Sequence, residues 1–342
     1  MNVFLISRYG ESTRLAELLQ EEGHNVETFI KERPYKKVGS GILTTISDPG
    51  VAAIHGDLTI VDDIGSGAFV DKAKKMGKRV IGSGMGMENF LSDLTMQIEV
   101  LTSLKMKLAT EKTEGKYAVV GAWFDGENFV KPILVGTKYT KAAAGDIGPI
   151  TKGMGACVKF TMKSKLFHET LLKLASFLRS VNFVGFINCD CLINNDTVHI
   201  KSISTSLGFL IGAILPDMFL NPIGEFLKAL YEKKCRTVPV KVDRIHLGVS
   251  AILLPWGRAN ERLVVVNTPV FIPIGVSKHK DYILERGDGL IGLVIGHGSS
   301  PTEARNIAYR EIKKVRNETL LYRNDIENDN QFNILEHLGW WK

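Results

Sequence analysis

Gly292-Leu293-Val294-Ile295-Gly296-His297-Gly298-Ser299-Ser300-Pro301-Thr302-Glu303-Ala304-Arg305-Asn306-Ile307-Ala308-Tyr309 is the stretch that decides the fold. An apolar run stops at two glycines, and a helical pattern follows at once. Gly296 and Gly298 permit a tight strand-to-helix turn. Thr302 is placed to cap the helix whose first turn holds Glu303. Gly248–Leu254, Leu263–Val266 and Leu290–Gly296 read as strands of a last small sheet, with Thr302–Val315 as its covering helix.

The N-terminal end has a different rhythm. Val3–Ile6, His24–Phe29, Asp57–Asp62 and Arg79–Gly82 read as buried strands. Helices at Ser12–Glu22 and Ala68–Met76 separate them, stopped by Gly23 and Gly77. Such alternation is that of a doubly wound parallel sheet. Ligands in such sheets sit beyond the strand carboxyl ends, here Ser7–Glu11, Asp62–Gly67 and Gly82–Gly86. Leu91 to about Lys112 reads as helical. Two hairpins follow, one turning at Asp125-Gly126-Glu127-Asn128 and one at Asn194-Asn195-Asp196. Between them lie a glycine-rich loop, Gly145–Gly155, and an amphipathic helix, His168–Val181. Pro222–Lys233 is another helix. Leu15, Leu18, Val61, Val80, Ile187, Ile200, Val249, Val294, Ile307 and Ile312 are expected in the core.

The chain has 342 residues, enough for two or three packed subdomains. Hydrophobic residues make up 44% and charged residues 23%, so the chain is globular rather than disordered. Its net charge of +6 is spread out, with no block of about five like charges to mark a nucleic-acid surface. The four cysteines form no Cys-x-x-Cys pair, which argues against a zinc or thioredoxin-type motif. Cys189 and Cys191 should share one side of a strand as buried thiols. The N-terminus is too quickly polar for a signal peptide, and no apolar stretch reaches about 18 residues. A cytoplasmic protein is expected.

The opening stretch leads into Tyr322-Arg323-Asn324-Asp325-Ile326. Together they resemble the closing module of the carboxylase and glycinamide ribonucleotide synthetase branch of the ATP-grasp enzymes. There, a strand ends in glycine, a helix opens with E-A-x-x-x-A-Y, and Y/F-R-x-D-I follows. Gly148-Pro149-Ile150-Thr151-Lys152-Gly153-Met154-Gly155-Ala156 resembles the G-P-N-T-G-G-M-G-A loop of the phosphoribosylamine–glycine ligase family, departing at Ile150 and Lys152. Asp57-Leu58-Thr59-Ile60-Val61 is similar to that family's D-L-V-V-V strand. The resemblance implies an ATP-grasp-like α/β fold. It would comprise an N-terminal doubly wound parallel sheet (1–92), a central α+β core (117–236) and a small C-terminal β-rich module with covering helix and tail (237–342). Only residues 93–116 stand where the lid should be, and they read as a helix and linker, so the lid subdomain is missing.

Two further departures bear on chemistry. The family's metal strand reads E-F-N-x-R-F-G-D-P-E. The matching stretch here is Ser202-Ile203-Ser204-Thr205-Ser206-Leu207-Gly208-Phe209-Leu210-Ile211. Ser202, Ser204 and Ser206 replace the glutamate, asparagine and arginine, and Mg²⁺ needs hard, usually anionic oxygen ligands. The first βα loop, G-x-G-G-R-E-H in the family, is Ser7-Arg8-Tyr9-Gly10-Glu11-Ser12, with one glycine left to approach a phosphate.

These departures imply a synthetase-like protein that has lost ATP-dependent ligase activity and acts as a ligand-binding or scaffold/regulatory protein. Such reduction would suit a compact, phage-like gene. No cofactor and no metal is then expected, and no catalytic residue is assigned. A small anionic ligand is expected in a cleft between the N-terminal sheet and the glycine-rich loop. Arg8, Asp62, Asp63, Lys141, Asp146, Gly148, Thr151, Lys152, Gly153, Met154 and Gly155 would line it. One alternative is an active amine or amino-acid ligase, using ATP and Mg²⁺, on a phosphoribosyl-like or nucleotide acceptor. Another is a nucleic-acid or protein-binding module, for which the tail Trp340-Trp341 would supply aromatic surface. No membrane partner is expected.

Overall fold

The structure is a computed structural model, and it describes residues 1–47, 56–220, 222–254, 263–279 and 282–342. The N-terminal part is built on β1 (Asn2–Ser7), α1 (Thr13–Glu21), β2 (Asn25–Ile30), β3 (Thr44–Thr45), β4 (Leu58–Asp62), α2 (Gly67–Lys75), β5 (Val80–Ile81) and α3 (Met85–Ser92). Its parallel sheet has the order β3-β2-β1-β4-β5, so the order in which strands are added reverses between β1 and β4. The strands are short apolar runs because both faces are covered. Gly23 and Gly77, both at positive φ, end the two helices as expected.

The expected single helix from Leu91 is two. Asp93 breaks it and caps α4 (Leu94–Ser103), its carboxylate accepting from the Thr95 and Met96 amides. A short β6 (Lys107–Leu108) follows. This helix and two-residue strand are the only regular elements between residues 93 and 115.

The core sheet comes next. β7 (Lys116–Phe124) and β8 (Phe129–Ala143) form the first expected hairpin. The expected glycine-rich loop is not a loop: β9 (Ile147–Thr161) runs through it, paired with β8. Only Ala144, Gly145 and Asp146 turn, the latter two with φ of 75° and 60°. Glycine is needed in this strand for close approach. A Cβ on Gly155 would sit 2.9 Å from the Gly248 carbonyl oxygen. The expected helix over His168–Val181 is broken into α5 (Lys165–Glu169), a 3-10 turn and α6 (Ala175–Ser180). β10 (Gly185–Asn194) and β11 (Thr197–Ser204) form the second hairpin. The family-matched strand through Ile211 ends early: Gly208 opens α7 (Gly208–Ile214), which buries Phe209 and Ile211. α8 (Ile223–Tyr231) packs against α1.

Of the three C-terminal strands expected in one small sheet, two join the core sheet instead. β12 (Ile245–Leu253) and β17 (Leu290–Gly298) extend the core sheet through β9, giving the order β14-β17-β12-β9-β8-β7-β10-β11-β6. Here β14 is Phe271–Pro273. The separate small sheet is β15 (Val276–Lys278), β16 (Ile283–Glu285), β13 (Leu263–Val266) and β18 (Val315–Arg316). α9 (Pro301–Ile312) covers β17, and its cap is Ser300, not Thr302: the Ser300 hydroxyl accepts from the Glu303 amide. The expected core is buried except for Leu18 and Ile307, which are half-buried. Cys189 and Cys191 are buried with sulfurs 3.5 Å apart. α10 (Gln331–His337) leads to Trp340 and Trp341, both fully buried, so the tail offers no aromatic surface to a partner. No described helix is long and apolar enough to cross a membrane.

Candidate functional site

The carboxyl ends of β1 and β4 are where a doubly wound sheet presents backbone amides to a ligand. Here the chain supplies its own acceptors. The Tyr9 amide and the Ser7 hydroxyl donate to the Glu11 carboxylate, and the Gly10 and Glu11 amides donate to Ser7 Oγ. In the β4–α2 loop the Gly65 and Ser66 amides both donate to Glu88 Oε1, at 2.7 Å. An internal carboxylate thus stands at each of the two loops.

The residues expected to line one cleft fall at separate places. Asp62, at the end of β4, is buried between the N-terminal sheet and the core, where the Ser12 hydroxyl and the Leu207 amide donate to it. Burial, then the nearby Glu11 charge, pushes its carboxyl up to about 6, and the two hydrogen bonds pull the other way. Asp63 is bound by Lys31 at 2.6 Å and by the Ser66 hydroxyl. Arg8 is exposed, pairs with Glu32 at 3.0 Å and lies over the Tyr9 ring.

Asp146 sits at the tip of the β8–β9 hairpin. There the buried Arg323 holds it at 2.7 Å while also making a two-pronged pair with Asp325. Arg323 donates as well to the Lys141 carbonyl, and the Gly145 amide donates to Asp325. The Arg-x-Asp segment that marks the C-terminal module is therefore a clamp on this turn. The Thr151 hydroxyl donates to the Thr140 carbonyl and accepts from the Gly153 amide, which stiffens the bulged hairpin. Gly148 is exposed, Met154 and Gly155 are buried, and the Gly153 carbonyl accepts from Ser250. Lys152 points towards the N-terminal part, away from the hairpin tip, and pairs with Asp288.

Lys141 and Asp146 do share a cavity of about 450 Å³ with Tyr117, Lys138, Lys201 and Arg323. Beside it lies a group that motif matching did not reveal. Asp190, on β10, faces Ser202 on β11. One Asp190 oxygen accepts from Tyr117 Oη at 2.8 Å, Lys138 Nζ at 3.1 Å and Ser202 Oγ at 3.3 Å. Its other oxygen is buried with no hydrogen-bond partner. Burial first, then the Asp190 charge, raises the Tyr117 phenol well above its ordinary range, so it stays a donor. A single acid inside the apolar run from Gly185 to Ile193 was the available signal, since buried acids are rarely unpaired. Ser204 and Ser206 bond within their own turn. Among the described residues, no group of three or more His, Cys, Asp or Glu side chains is arranged to hold a metal ion.

No family model matches the chain. A phosphoribosylamine–glycine ligase from Caldanaerobacter subterraneus subsp. tengcongensis is 27% identical over 253 residues, which are 68% of this chain and 59% of the relative. The matched stretch thus spans about three fifths of that relative's length. Among solved structures, phosphoribosylamine–glycine ligase from Thermotoga maritima superposes with a TM-score of 0.71 at 15% identity, over 95% of this chain and 100% of that one. Urea carboxylase from Kluyveromyces lactis gives 0.66 at 9% identity, over 92% of this chain and 30% of its own. A pyruvate carboxylase from Rhizobium etli gives 0.66 at 12%, over 92% and 33%. With the parallel N-terminal sheet and the mixed core just described, these likenesses show an ATP-grasp-type α/β fold in a chain whose sequence is similar to phosphoribosylamine–glycine ligase.

Proposed function

We propose that this phosphoribosylamine–glycine-ligase-like protein has lost ATP-dependent ligase chemistry and acts as a ligand-binding or scaffold/regulatory protein. The observation that carries this reading is the environment of Ser202. The family's strand has a carboxylate there to hold Mg²⁺, and this chain has a hydroxyl. The neighbouring carboxylate, Asp190, is already paired with the Lys138 ammonium. A divalent ion entering here would find one acid, and Lys138 would repel it at close range. The short segment between α3 and β7 supports the same reading, because one helix and a two-residue strand do not make a lid of several strands over a nucleotide. The 450 Å³ cavity is the place proposed for a small anionic ligand, with Lys138, Lys141 and Lys201 as its cations.

The test is turnover. The purified chain, given Mg²⁺, ATP, glycine and phosphoribosylamine, should release no ADP above a blank. Stoichiometric ADP with formation of glycinamide ribonucleotide would refute the loss of activity. Calorimetric titration with ribose 5-phosphate tests the binding half. Lys201→Ala should weaken that binding, and equal binding by parent and variant would remove the cavity from the reading.

A further inference from the structure

Lys152 stands where the similar loop of the family has glycine, and the structure shows an unusual setting for it. Its ammonium lies 4.1 Å from the centroid of the Phe209 ring, 4.7 Å from that of Tyr9 and 4.8 Å from that of Tyr35. Tyr9 and Tyr35 meet edge to face with centroids 5.0 Å apart. The ammonium also pairs with Asp288 at 2.8 Å and reaches Tyr35 Oη at 3.4 Å. Three aromatic faces and a carboxylate are the components of an ammonium cage. The acid and the phenol oxygen take N–H donors, so the recess suits a primary ammonium better than a quaternary one. The walls come from distant parts of the chain. Tyr9 is in the β1–α1 loop, Tyr35 in a 3-10 turn after β2, Phe209 at the start of α7, and Asp288 in the turn before β17. Tyr35 is packed tightly enough against that turn that a Cβ on Gly287 would lie 2.5 Å from its ring.

We infer that Tyr9, Tyr35 and Phe209, closed by Asp288, form a primary-ammonium site whose occupant is the chain's own Lys152, and that this tethered occupant fixes the N-terminal loops onto the core. Nothing in this depends on whether the chain turns over ATP. Because the occupant is tethered, its effective concentration in the cage is high, and a free amine at millimolar level does not displace it. Removing the side chain empties the cage and loosens the docking of its walls on one another, while each wall keeps its place within its own element. A small free amine then becomes its ligand.

The experiment is hydrogen exchange on the full chain. Lys152→Ala should raise amide exchange by roughly two- to fivefold in the segments carrying Tyr9, Tyr35 and Asp288, the scale of a partly exposed cation–π group with its ion pair. Ethylammonium chloride should reverse this saturably, with no response to sodium chloride at the same ionic strength and none in the parent. Lys152→Ala combined with Tyr35→Leu should lose the rescue. A second variant, Asp288→Asn, keeps Lys152 and should raise exchange in the same segments by a smaller factor. Unchanged exchange in Lys152→Ala would overturn the inference, as would rescue by sodium chloride or rescue that survives Tyr35→Leu. Should Lys152→Ala not fold, Asp288→Asn decides alone, and parent-like exchange there overturns it.

Discussion

Arg323→Met is the substitution that tests most sharply what the C-terminal module does. The arginine side chain is 2% exposed and joins Asp325, Asp146 and the Lys141 carbonyl at the tip of the β8–β9 hairpin. Methionine keeps the aliphatic stem and removes only the charge and the fork. Breaking a fully buried pair costs about 3–5 kcal/mol, because the abandoned partner stays charged in a dry place. Here the abandoned acids differ. Asp146 is 65% exposed and is rescued by water, whereas Asp325 is 24% exposed and is rescued less. Allowing for that, the loss is about 2–3 kcal/mol. An unfolding entropy of about 2.1 cal/mol/K per residue gives about 0.7 kcal/mol/K for the whole chain, so Tm should fall by about 3–4 °C if unfolding is one step. Asp146→Asn should cost under about 1 kcal/mol, since its side chain is mostly in water. Urea denaturation of both single variants and the double variant measures the terms, with exchange at residues 141–147 as the local readout. The reasoning is refuted if Arg323→Met is as stable as the parent, or if Asp146→Asn costs as much as Arg323→Met.

Asp62 has its folded carboxyl raised to about 6, above an unfolded value near 3.9, so its contribution is greatest in acid and is lost as pH rises from about 4 to about 6. Asp62→Asn keeps an acceptor for the Leu207 amide, and should flatten that part of the stability–pH curve and raise urea resistance at pH 7. His246 behaves in the opposite sense. Burial, with the like charge of His297 adding to it, lowers its imidazole to about 4, so stability should fall as pH drops from about 6.5 towards 4. His246→Gln should reduce that acid loss in urea melts, and an unchanged acid limb would rule the group out. Trp340→Ala should cost about 3–5 kcal/mol by cavity formation under α5, read by thermal melting; a change below about 1 kcal/mol would mean the tail is peripheral.

The N-terminal sheet was legible because each strand is a short apolar run and each helix meets a glycine that stops it. The two hairpins announced themselves through Asp125-Gly126 and Asn194-Asn195-Asp196, where turn chemistry is local. What failed was not local. Residues 145–155 look like a loop by glycine content, yet Gly155 serves close packing against β12 and Ile326, and Gly153 against Leu210. The pairing of Gly155 with Val249 joins residues far apart in sequence, so the continuity of core and C-terminal strands leaves no periodic trace. The site failed for the same reason. Lys152, Asp146 and Asp62 are expected from the sequence to line one cleft, but their partners Asp288, Arg323 and Leu207 lie elsewhere in the chain. Asp190 was passed over because motif matching drew attention to the strand beside it.

Four charged recesses of the molecule have one property in common. The amides of the β1–α1 loop meet Glu11, and those ahead of α2 meet Glu88. Asp190 meets Lys138, and the aromatic cage meets Lys152. Each is a place where unsatisfied polarity would otherwise call for an outside ion, because helix N-termini attract anions and buried acids attract cations. Internal pairing has a thermodynamic consequence. A ligand of the same sign as the internal group must displace it and return it to water, so the free energy of binding is reduced by that of the broken pair. Folding, in turn, no longer waits on a ligand to neutralise these groups, since the pairs form as the chain closes. A chain built this way should melt cooperatively with no nucleotide or metal added. Added ATP with Mg²⁺ should move its midpoint by less than about 1 °C, as expected when the ligand stays well below its dissociation constant. A rise of several degrees with ATP and Mg²⁺ would show that the outside ligand still outcompetes the internal charges, and with it would fall the proposed loss of nucleotide chemistry.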